Sequence, residues 1–222
     1  MPWIGLFSML NLADSVIFLD DVQFDKGGWR NRNRVRNLDG SLWLSVPIKR
    51  SGLVDKMISE VKIIDDNLWK KKHINTLKLN YPNASPTLLI NIIEIIENAG
   101  NSLIELNLHF INFICNYLNI ETKSSLSSSY PVNRDQNMRL VELCKSTNSN
   151  TYLSGPAARS YLSVESFEFA DIRVKWFEFD EKKQYPQRGS DFIPYLSILD
   201  LILNNGQLYA ESYVKSQFNV SS

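Results

Sequence analysis

Four arginines alternate along one short segment of this 222-residue chain, and they could bind an anion. They are Arg30, Arg32, Arg34 and Arg36. Every second side chain of a β-strand points to the same face, so the four guanidinium groups would share one face. Guanidinium groups bind phosphate oxygens in bidentate fashion, and Lys26 with the flexible Gly27-Gly28 precedes them. A diphosphate would be a natural ligand for such a face. The alternative is a solvated outer face on which Arg36 rests on Trp43 as a cation–π pair.

A β-hairpin is predicted to carry these arginines. Asp39-Gly40 lies between two extended runs, 32–38 and 41–47, and this dipeptide is typical of a two-residue hairpin loop. With that loop, Arg36 would pair with Trp43 and Val35 with Leu44. One side of the hairpin would then pack on the core, and the other side would carry the arginines and Trp43. The predicted core positions are Val35, Leu42, Leu44 and Val46.

Two adjacent carboxylates are the next candidates. The apolar run 16–19 predicts a strand that is buried on both faces, and it ends at Asp20 and Asp21. Ligands of open α/β sheets tend to bind at the carboxyl ends of strands. Paired carboxylates there could act as a base or hold Mg²⁺. They could equally form salt bridges with the arginines or cap a turn.

His73, Ser154 and Gly155 complete the set of residues whose types could support chemistry. His73 follows Trp69 at helical spacing, and its neutral imidazole could accept a proton near pH 7. The alternative is a hydrogen-bonded structural histidine, which is how we interpret His109. Ser154-Gly155 lies where a strand is predicted to turn into a helix, and helix amides there could receive an anion.

The pattern of elements predicts an α/β protein with a mixed sheet, flanking helices, a β-hairpin and a helical middle region. The whole chain, residues 1–222, is expected to form one domain. The serine-rich stretch 123–129 looks like a connector, with a possible internal boundary near 123–131. Pro194 is expected to open a last apolar helix that Asn204-Asn205-Gly206 closes. The other helices are expected over 69–81, 86–98, 102–118 and 135–145, and further strands over 152–155 and 172–179.

Composition excludes several classes of function. The 24 basic and 24 acidic residues cancel, which argues against a general binder of nucleic acids or membrane surfaces. Cys115 and Cys144 have no metal-ligand spacing, so no metal site is predicted, and a reduced cytoplasmic protein is the simplest interpretation. No apolar run is long enough for membrane insertion, and the first residues do not look like a signal peptide. Walker, dinucleotide-binding and nucleophile-elbow motifs are absent.

Several stretches together resemble the WbqC-like protein family in the right order along nearly the whole chain. They are Pro2-Trp3-Ile4-Gly5-Leu6-Phe7, Leu19-Asp20-Asp21-Val22-Gln23-Phe24, Trp29-Arg30-Asn31-Arg32-Asn33-Arg34, Trp43-Leu44-Ser45-Val46-Pro47, Trp69 with His73, Tyr152-Leu153-Ser154-Gly155, Tyr185-Pro186-Gln187, Phe192-Ile193-Pro194 and Leu196-Ser197-Ile198-Leu199-Asp200. Family members usually begin with a strand and a His-Gln-Pro segment before Leu-Pro-Trp. The resemblance therefore predicts that this chain lacks the family's first strand.

The resemblance also implies an activity. Members occur in gene sets for O-antigen and related surface polysaccharides, and a role as glycine transferase has been proposed. The implied reaction attaches an aminoacyl group to the amine of a nucleotide-linked amino sugar. The donor would be an aminoacyl-tRNA, a carrier-protein thioester or an adenylate made in place, and only the last requires ATP and Mg²⁺. The alternatives are nucleotidylyl or glycosyl transfer, or a non-catalytic scaffold that binds a sugar nucleotide.

Roles for individual residues combine these motifs with their chemistry. Asp20, Asp21 or His73 would remove the proton from the attacking amine, and Arg32, Arg34 and Lys26 would hold the diphosphate. Gln23 and Asn33 would contact sugar hydroxyls, and Tyr185 with Gln187 would close the pocket. Trp43, Ser154 and Gly155 complete the predicted substrate-binding set.

Overall fold

The computed structural model describes residues 1–25, 28–53, 55–132, 135–217 and 220–221. The α-helices there are α1 (Ile4–Leu12), α2 (Asn67–Asn80), α3 (Pro86–Glu97), α4 (Leu103–Tyr117), α5 (Gln136–Ser146), α6 (Val164–Glu168) and α7 (Ile198–Lys215). The strands are β1 (Ser15–Phe18), β2 (Arg32–Asn37), β3 (Gly40–Ser45), β4 (Lys123–Leu126), β5 (Thr151–Ser154), β6 (Arg173–Phe177) and β7 (Val220–Ser221). Short 3₁₀ helices span Ile58–Glu60, Ser127–Ser129 and Pro156–Ser160. Parallel and antiparallel strands occur with helices, which confirms the α/β class.

The predicted helical middle is confirmed as α2, α3 and α4. Each helix begins at a residue suited to that position: the Asp66 carboxylate accepts from the Leu68 amide, Pro86 opens α3, and the Ser102 hydroxyl caps α4. Their apolar faces join those of α1, α7 and the inner side of the hairpin in one large hydrophobic cluster, the main core. No helix within the described ranges is both long and apolar enough to cross a bilayer.

The predicted hairpin is present as β2 and β3, but its predicted register was wrong by two residues. Val35 pairs with Leu42, and the two-residue turn is Leu38-Asp39 instead of Asp39-Gly40. A shift of two keeps every side chain on its predicted face, so burial cannot distinguish the two registers. Gly40 instead opens β3 with a positive φ of 156°.

The ends of the hairpin differ in burial from what its alternation predicts. Val35, Leu44 and Val46 lie in the main core as expected, whereas Leu42 beside the turn is exposed. On the opposite face, Arg36 is buried, although the alternation predicts that it is solvated or lies on Trp43.

β1 and β4 form a parallel pair, with Val16 opposite Ser124 and Phe18 opposite Leu126. The serine-rich stretch thus supplies a strand and the 3₁₀ helix that follows it. β1 was predicted to be buried on both faces, and that was wrong: its four residues are all half-buried, because β4 is its partner in a sheet of only two described strands. Whether a domain boundary lies near residues 123–131 stays a prediction.

A smaller hydrophobic cluster, the second core, forms beside the mixed sheet of β5, β6 and β7. β5 pairs with β6 in parallel, and β6 with β7 in antiparallel fashion. Leu140, Val141 and Cys144 from α5 pack there with Phe167 and Trp176. The expected helix after Ser154-Gly155 is a five-residue 3₁₀ helix.

The last helix differs from its prediction at both ends. Its N-cap is Ser197, whose hydroxyl accepts from the Leu199 amide, so α7 begins four residues after Pro194. Gly206 was predicted to close the helix, and it does leave helical geometry, with φ 75° and ψ −178°. The chain then returns to helix as far as Lys215, so the glycine marks a kink.

Candidate functional site

Asp20 and Asp21 follow β1, whose last residue, Phe18, pairs with Leu126, the last residue of the parallel strand β4. Ser127 comes directly after Leu126. Asp20 is buried, and its Oδ1 accepts from the Ser128 amide at 2.9 Å and from the Ser127 hydroxyl at 3.1 Å. Its backbone N–H donates to Ser127 Oγ at 3.2 Å, and its carbonyl accepts from the Ser59 amide. Asp20 therefore fastens the end of β1 to the end of β4.

Asp21 is the more accessible carboxylate of the pair, since 27% of its side-chain surface is exposed. It accepts from the Ser127 hydroxyl and forms an ion pair with Arg139 on α5. Burial alone would raise the pKa of Asp21, but the hydrogen bonds from Ser127 and Arg139 and the positive charge of Arg139 together lower it below its ordinary value. Asp21 is therefore held ionised. We call Asp20, Asp21, Ser127 and Arg139 the carboxylate cluster.

The second feature is the arginine–tryptophan face, which consists of Trp29, Arg32, Arg34 and Trp43. The Arg32 guanidinium carbon lies 4.7 Å from the centre of the Trp43 ring, and that of Arg34 lies 5.8 Å from it. Trp29 lies against Trp43, with ring centroids 5.7 Å apart. Two cationic groups thus lie over one aromatic ring on the outer side of the hairpin, and guanidinium groups can bind an anion.

Arg36 belongs to a different, buried network. Its Nε donates to the Arg188 carbonyl at 2.5 Å and its Nη1 to the Gly40 carbonyl at 3.0 Å. The alternative in which Arg36 rests on Trp43 as a cation–π pair is therefore wrong, because the carbonyl groups of Arg188 and Gly40 hold the Arg36 guanidinium in the interior.

Asp200 lies at the centre of that network. Its Oδ1 accepts from the Tyr81 hydroxyl at 2.5 Å and the Arg36 amide at 3.1 Å, and its Oδ2 accepts from the Tyr185 hydroxyl at 2.8 Å. Burial raises the pKa of Asp200, although these three hydrogen bonds and Arg36 oppose the rise. The tyrosine pKa values are raised as well, first by burial and then by Asp200. The network joins β2, the end of α2 and α7. Tyr185, predicted to close a substrate pocket, is thus committed to Asp200 in the main core.

His73 is buried on α2, with its ring 5.2 Å from that of Trp69. Burial lowers its pKa to about 4, helped by the positive charges of the amino terminus and Lys72 and opposed by a hydrogen bond to the Ser45 carbonyl. Its Nδ1 has no partner among the described residues. The ring is neutral at pH 7 but shielded from water, and its catalytic role stays a prediction.

The remaining predicted residues are distributed over the molecule. Asn33 is fully buried, and its amide donates to the Met1 carbonyl and accepts from the Arg34 amide. Gln187 is bonded at both ends of its amide to the Ile193 backbone, and it also lines a shallow pocket of about 340 Å³ beside Tyr81 and Arg188. These contacts favour structural roles for Asn33 and for the Gln187 amide.

Gln23 is exposed in a bridge with Met57. Ser154 is buried at the end of β5, and Gly155 precedes the 3₁₀ helix. Lys26 lies outside the described residues. The structure thus brings Asp20 and Asp21 together and Arg32, Arg34 and Trp43 together, each group with a partner that the sequence prediction missed.

Four contributors to these sites were missed by sequence reasoning. Ser127 and Arg139 reach the carboxylate cluster over large chain separations, and no local pattern indicates that contact. Asp200 carried a signal, since it is the single charged residue of the apolar run 196–203. Trp29 is an aromatic residue one position before the alternating arginines. No three His, Cys, Asp or Glu residues in the described part of the chain are placed to hold a metal.

Comparison with known proteins agrees with the motifs along the chain. The chain is 36% identical over 214 residues to "Uncharacterized protein Rv1507c" of Mycobacterium tuberculosis, an alignment that covers 93% of this chain and 90% of that protein. No solved structure matches it. The model of the WbqC-like protein family matches residues 1–211, and the chain therefore belongs to the WbqC-like protein family.

Proposed function

We propose that this protein is a transferase of surface-polysaccharide synthesis that attaches an aminoacyl group, glycyl in the simplest case, to the amine of a nucleotide-linked amino sugar. The donor is an aminoacyl-tRNA or a carrier-protein thioester. Family membership supports a protein of this kind. The observation that carries the assignment of the reacting group is Asp21, an ionised and partly exposed carboxylate at the carboxyl end of a parallel strand.

In the proposed step, the sugar amine attacks the acyl carbonyl carbon. A C–N bond forms, and the C–O bond to the tRNA ribose or the C–S bond to the carrier thiol breaks. The nitrogen becomes strongly acidic once it is bonded to the acyl carbon, so even a carboxylate with a low pKa accepts its proton. Asp21 takes that proton and passes it to the departing oxygen or sulfur.

The division of roles follows the contacts of each residue. Asp20 is buried and bonded to Ser127 and Ser128, so it positions Asp21. Arg139 keeps Asp21 ionised and oriented. Arg32 and Arg34 bind the diphosphate of the substrate, because guanidinium groups pair with phosphate oxygens in bidentate geometry.

Binding is tested first by thermal unfolding with UDP-, GDP- and dTDP-linked sugars. A ligand at 100 times its Kd stabilises the native state by about 2.7 kcal/mol, which raises Tm by several degrees. Arg32→Ala is expected to abolish the shift, whereas Arg173→Ala, an exposed arginine on β6, leaves it unchanged. Binding of none of these nucleotide sugars to the wild-type protein would contradict the proposal.

Turnover is tested by the mass gain of one glycyl residue on the amino sugar. Asp21→Asn is expected to reduce the rate at least a hundredfold, the usual scale of general-base catalysis, while the thermal shift with the nucleotide sugar remains. Asp191→Asn, at an exposed carboxylate elsewhere, serves as the matched control. Full activity of Asp21→Asn would exclude Asp21 as the base.

A further inference from the structure

Two large aromatic side chains lie in water next to one another on the arginine–tryptophan face. Trp29 is 51% exposed and Trp43 is 46% exposed. Both rings leave much apolar surface uncovered, although burying an aromatic side chain is strongly favourable. Exposed apolar surface bordered by charged groups is typical of a binding site.

The two ring systems are not equivalent. Arg32 and Arg34 both lie over Trp43, with guanidinium carbons 4.7 Å and 5.8 Å from its ring centre, so cations occupy that ring. The centroids of Trp29 and Trp43 are 5.7 Å apart and their planes are inclined by 41°. A third ring between them would need about 7 Å, twice the ~3.5 Å contact distance between carbon atoms. A guest ring therefore has to stack on the outward side of Trp29.

Charge complementarity indicates what is attached to that guest ring. The Arg34 Nε is buried and has no hydrogen-bond partner among the described residues, and its Nη2 only reaches the Pro194 carbonyl at 3.4 Å. An N–H group of this kind gains a strong charge-assisted hydrogen bond when an anion arrives. A planar ring for Trp29, joined to an anionic group for Arg34, matches the chemistry of a nucleoside diphosphate, which carries its nucleobase and its phosphates on one ribose.

We propose that Trp29 is the stacking surface for the nucleobase of a nucleoside diphosphate, and that Trp43 holds Arg32 and Arg34 in position for its two phosphates. This inference rests on the proposed function, because it assumes a nucleotide-linked substrate. It assigns the base and the diphosphate to different side chains. Recognition by stacking tolerates different bases, since every base has a π-face.

The test compares UDP and GDP with inorganic pyrophosphate, which carries the two phosphates without a base. Affinities are measured by titration calorimetry for the wild-type protein, Trp29→Ala, Trp29→Phe and a control, Phe169→Ala. The control removes an exposed aromatic ring at the C-cap of α6. Trp29→Ala is expected to weaken nucleoside diphosphate binding about tenfold, as base–aromatic stacking energies imply, and to leave pyrophosphate binding unchanged. Trp29→Phe is expected to retain most of the wild-type affinity for the nucleoside diphosphates.

Each other outcome overturns a distinct claim. Unchanged nucleoside diphosphate affinity in Trp29→Ala would exclude the stacking role, and so would wild-type affinity for pyrophosphate equal to that for UDP and GDP. In both cases the arginine site of the proposed function would stand. If the wild-type protein bound neither UDP, GDP nor pyrophosphate, the diphosphate site and the stacking inference would fail together.

Discussion

Burial and neighbouring groups determine the charge of several individual side chains in this protein. His73 is neutral at pH 7 because burial disfavours its charged form, and its pKa is lowered to about 4. Asp21 is ionised because Ser127 and Arg139 stabilise its charge more than burial opposes it. Asp200 is completely buried, and its two oxygens accept hydrogen bonds from Arg36, Tyr81 and Tyr185. At this scale the chemistry of each group follows from its neighbours.

His73 is expected to make the free energy of unfolding depend on pH under acidic conditions. Its folded pKa of about 4 lies below the 6.5 of the unfolded chain, so between these values the unfolded state binds more protons. The free energy of unfolding therefore falls as pH is lowered from 6.5 to 4, by at most about 1.4 kcal/mol per pH unit from this group. His73→Gln is expected to reduce that slope in urea unfolding at a series of pH values. Parallel profiles of wild type and variant would contradict it.

Tyr185 is expected to contribute to stability through its hydroxyl group. Tyr185→Phe leaves Asp200 Oδ2 buried without the 2.8 Å hydrogen bond, at a cost of about 1–3 kcal/mol. Tyr195→Phe removes a hydroxyl that bonds Glu181 at the surface and is expected to cost less than ~0.5 kcal/mol. Urea unfolding measures the loss in the free energy of unfolding for both variants. Equal losses would show that the buried hydrogen bond stabilises the protein no more than the surface one.

The elements differ in how far local sequence determines them. The helices α2, α3 and α4 follow from apolar periodicity and N-cap residues, and they were predicted nearly to the residue. β4 was missed because Ser124 and Ser125 have no strand-like apolar pattern, and its parallel partner β1 lies far away in the chain. The hairpin register was wrong because turn propensity favoured Asp39-Gly40, whereas Arg36 holds the Gly40 carbonyl and sets Gly40 into β3.

Ser127 is expected to support the junction of β1 and β4. Ser127→Ala removes the acceptor of the Asp20 amide and the hydroxyl shared with Asp21, with an expected loss of about 1–3 kcal/mol in urea unfolding. Ser128→Ala is the matched control, since Ser128 contacts Asp20 through its backbone N–H and its side chain is exposed. A larger effect of Ser128→Ala would contradict the assignment.

At the scale of the whole molecule, the described residues form two hydrophobic cores of unequal size. The main core joins five helices with the hairpin, and the second core joins α5, α6 and the sheet of β5, β6 and β7. The sequence indicated the apolar faces of these helices, but it did not indicate how the two cores divide the chain. Only two members of the carboxylate cluster, Asp20 and Asp21, could be predicted from the sequence. Ser127 and Arg139 are distant in the chain and reach the cluster only through the tertiary fold.

The second core is expected to open before the main core, because it contains far fewer buried apolar side chains. One cysteine reports on each: Cys144 lies in the second core and Cys115 packs against the main core. Burial raises both thiol pKa values to about 11, so few thiolates are available to react in the native state. In single-cysteine variants, labelling of Cys144 is expected to accelerate at lower urea than labelling of Cys115. Coincident acceleration would indicate one cooperative unit.

The contacts of Asp21 also determine when the cluster can form during synthesis on the ribosome. Its hydroxyl partner is 106 positions further along the chain, and its arginine partner is 118 positions further. The amino-terminal portion that emerges first therefore carries two neighbouring negative charges, Asp20 and Asp21. At that stage neither the positive charge of Arg139 nor the partner strand β4 has been synthesised. Such long-range closure is intrinsically slow. The centre proposed for catalysis is thus among the last features to assemble, after the helical middle has already become able to fold.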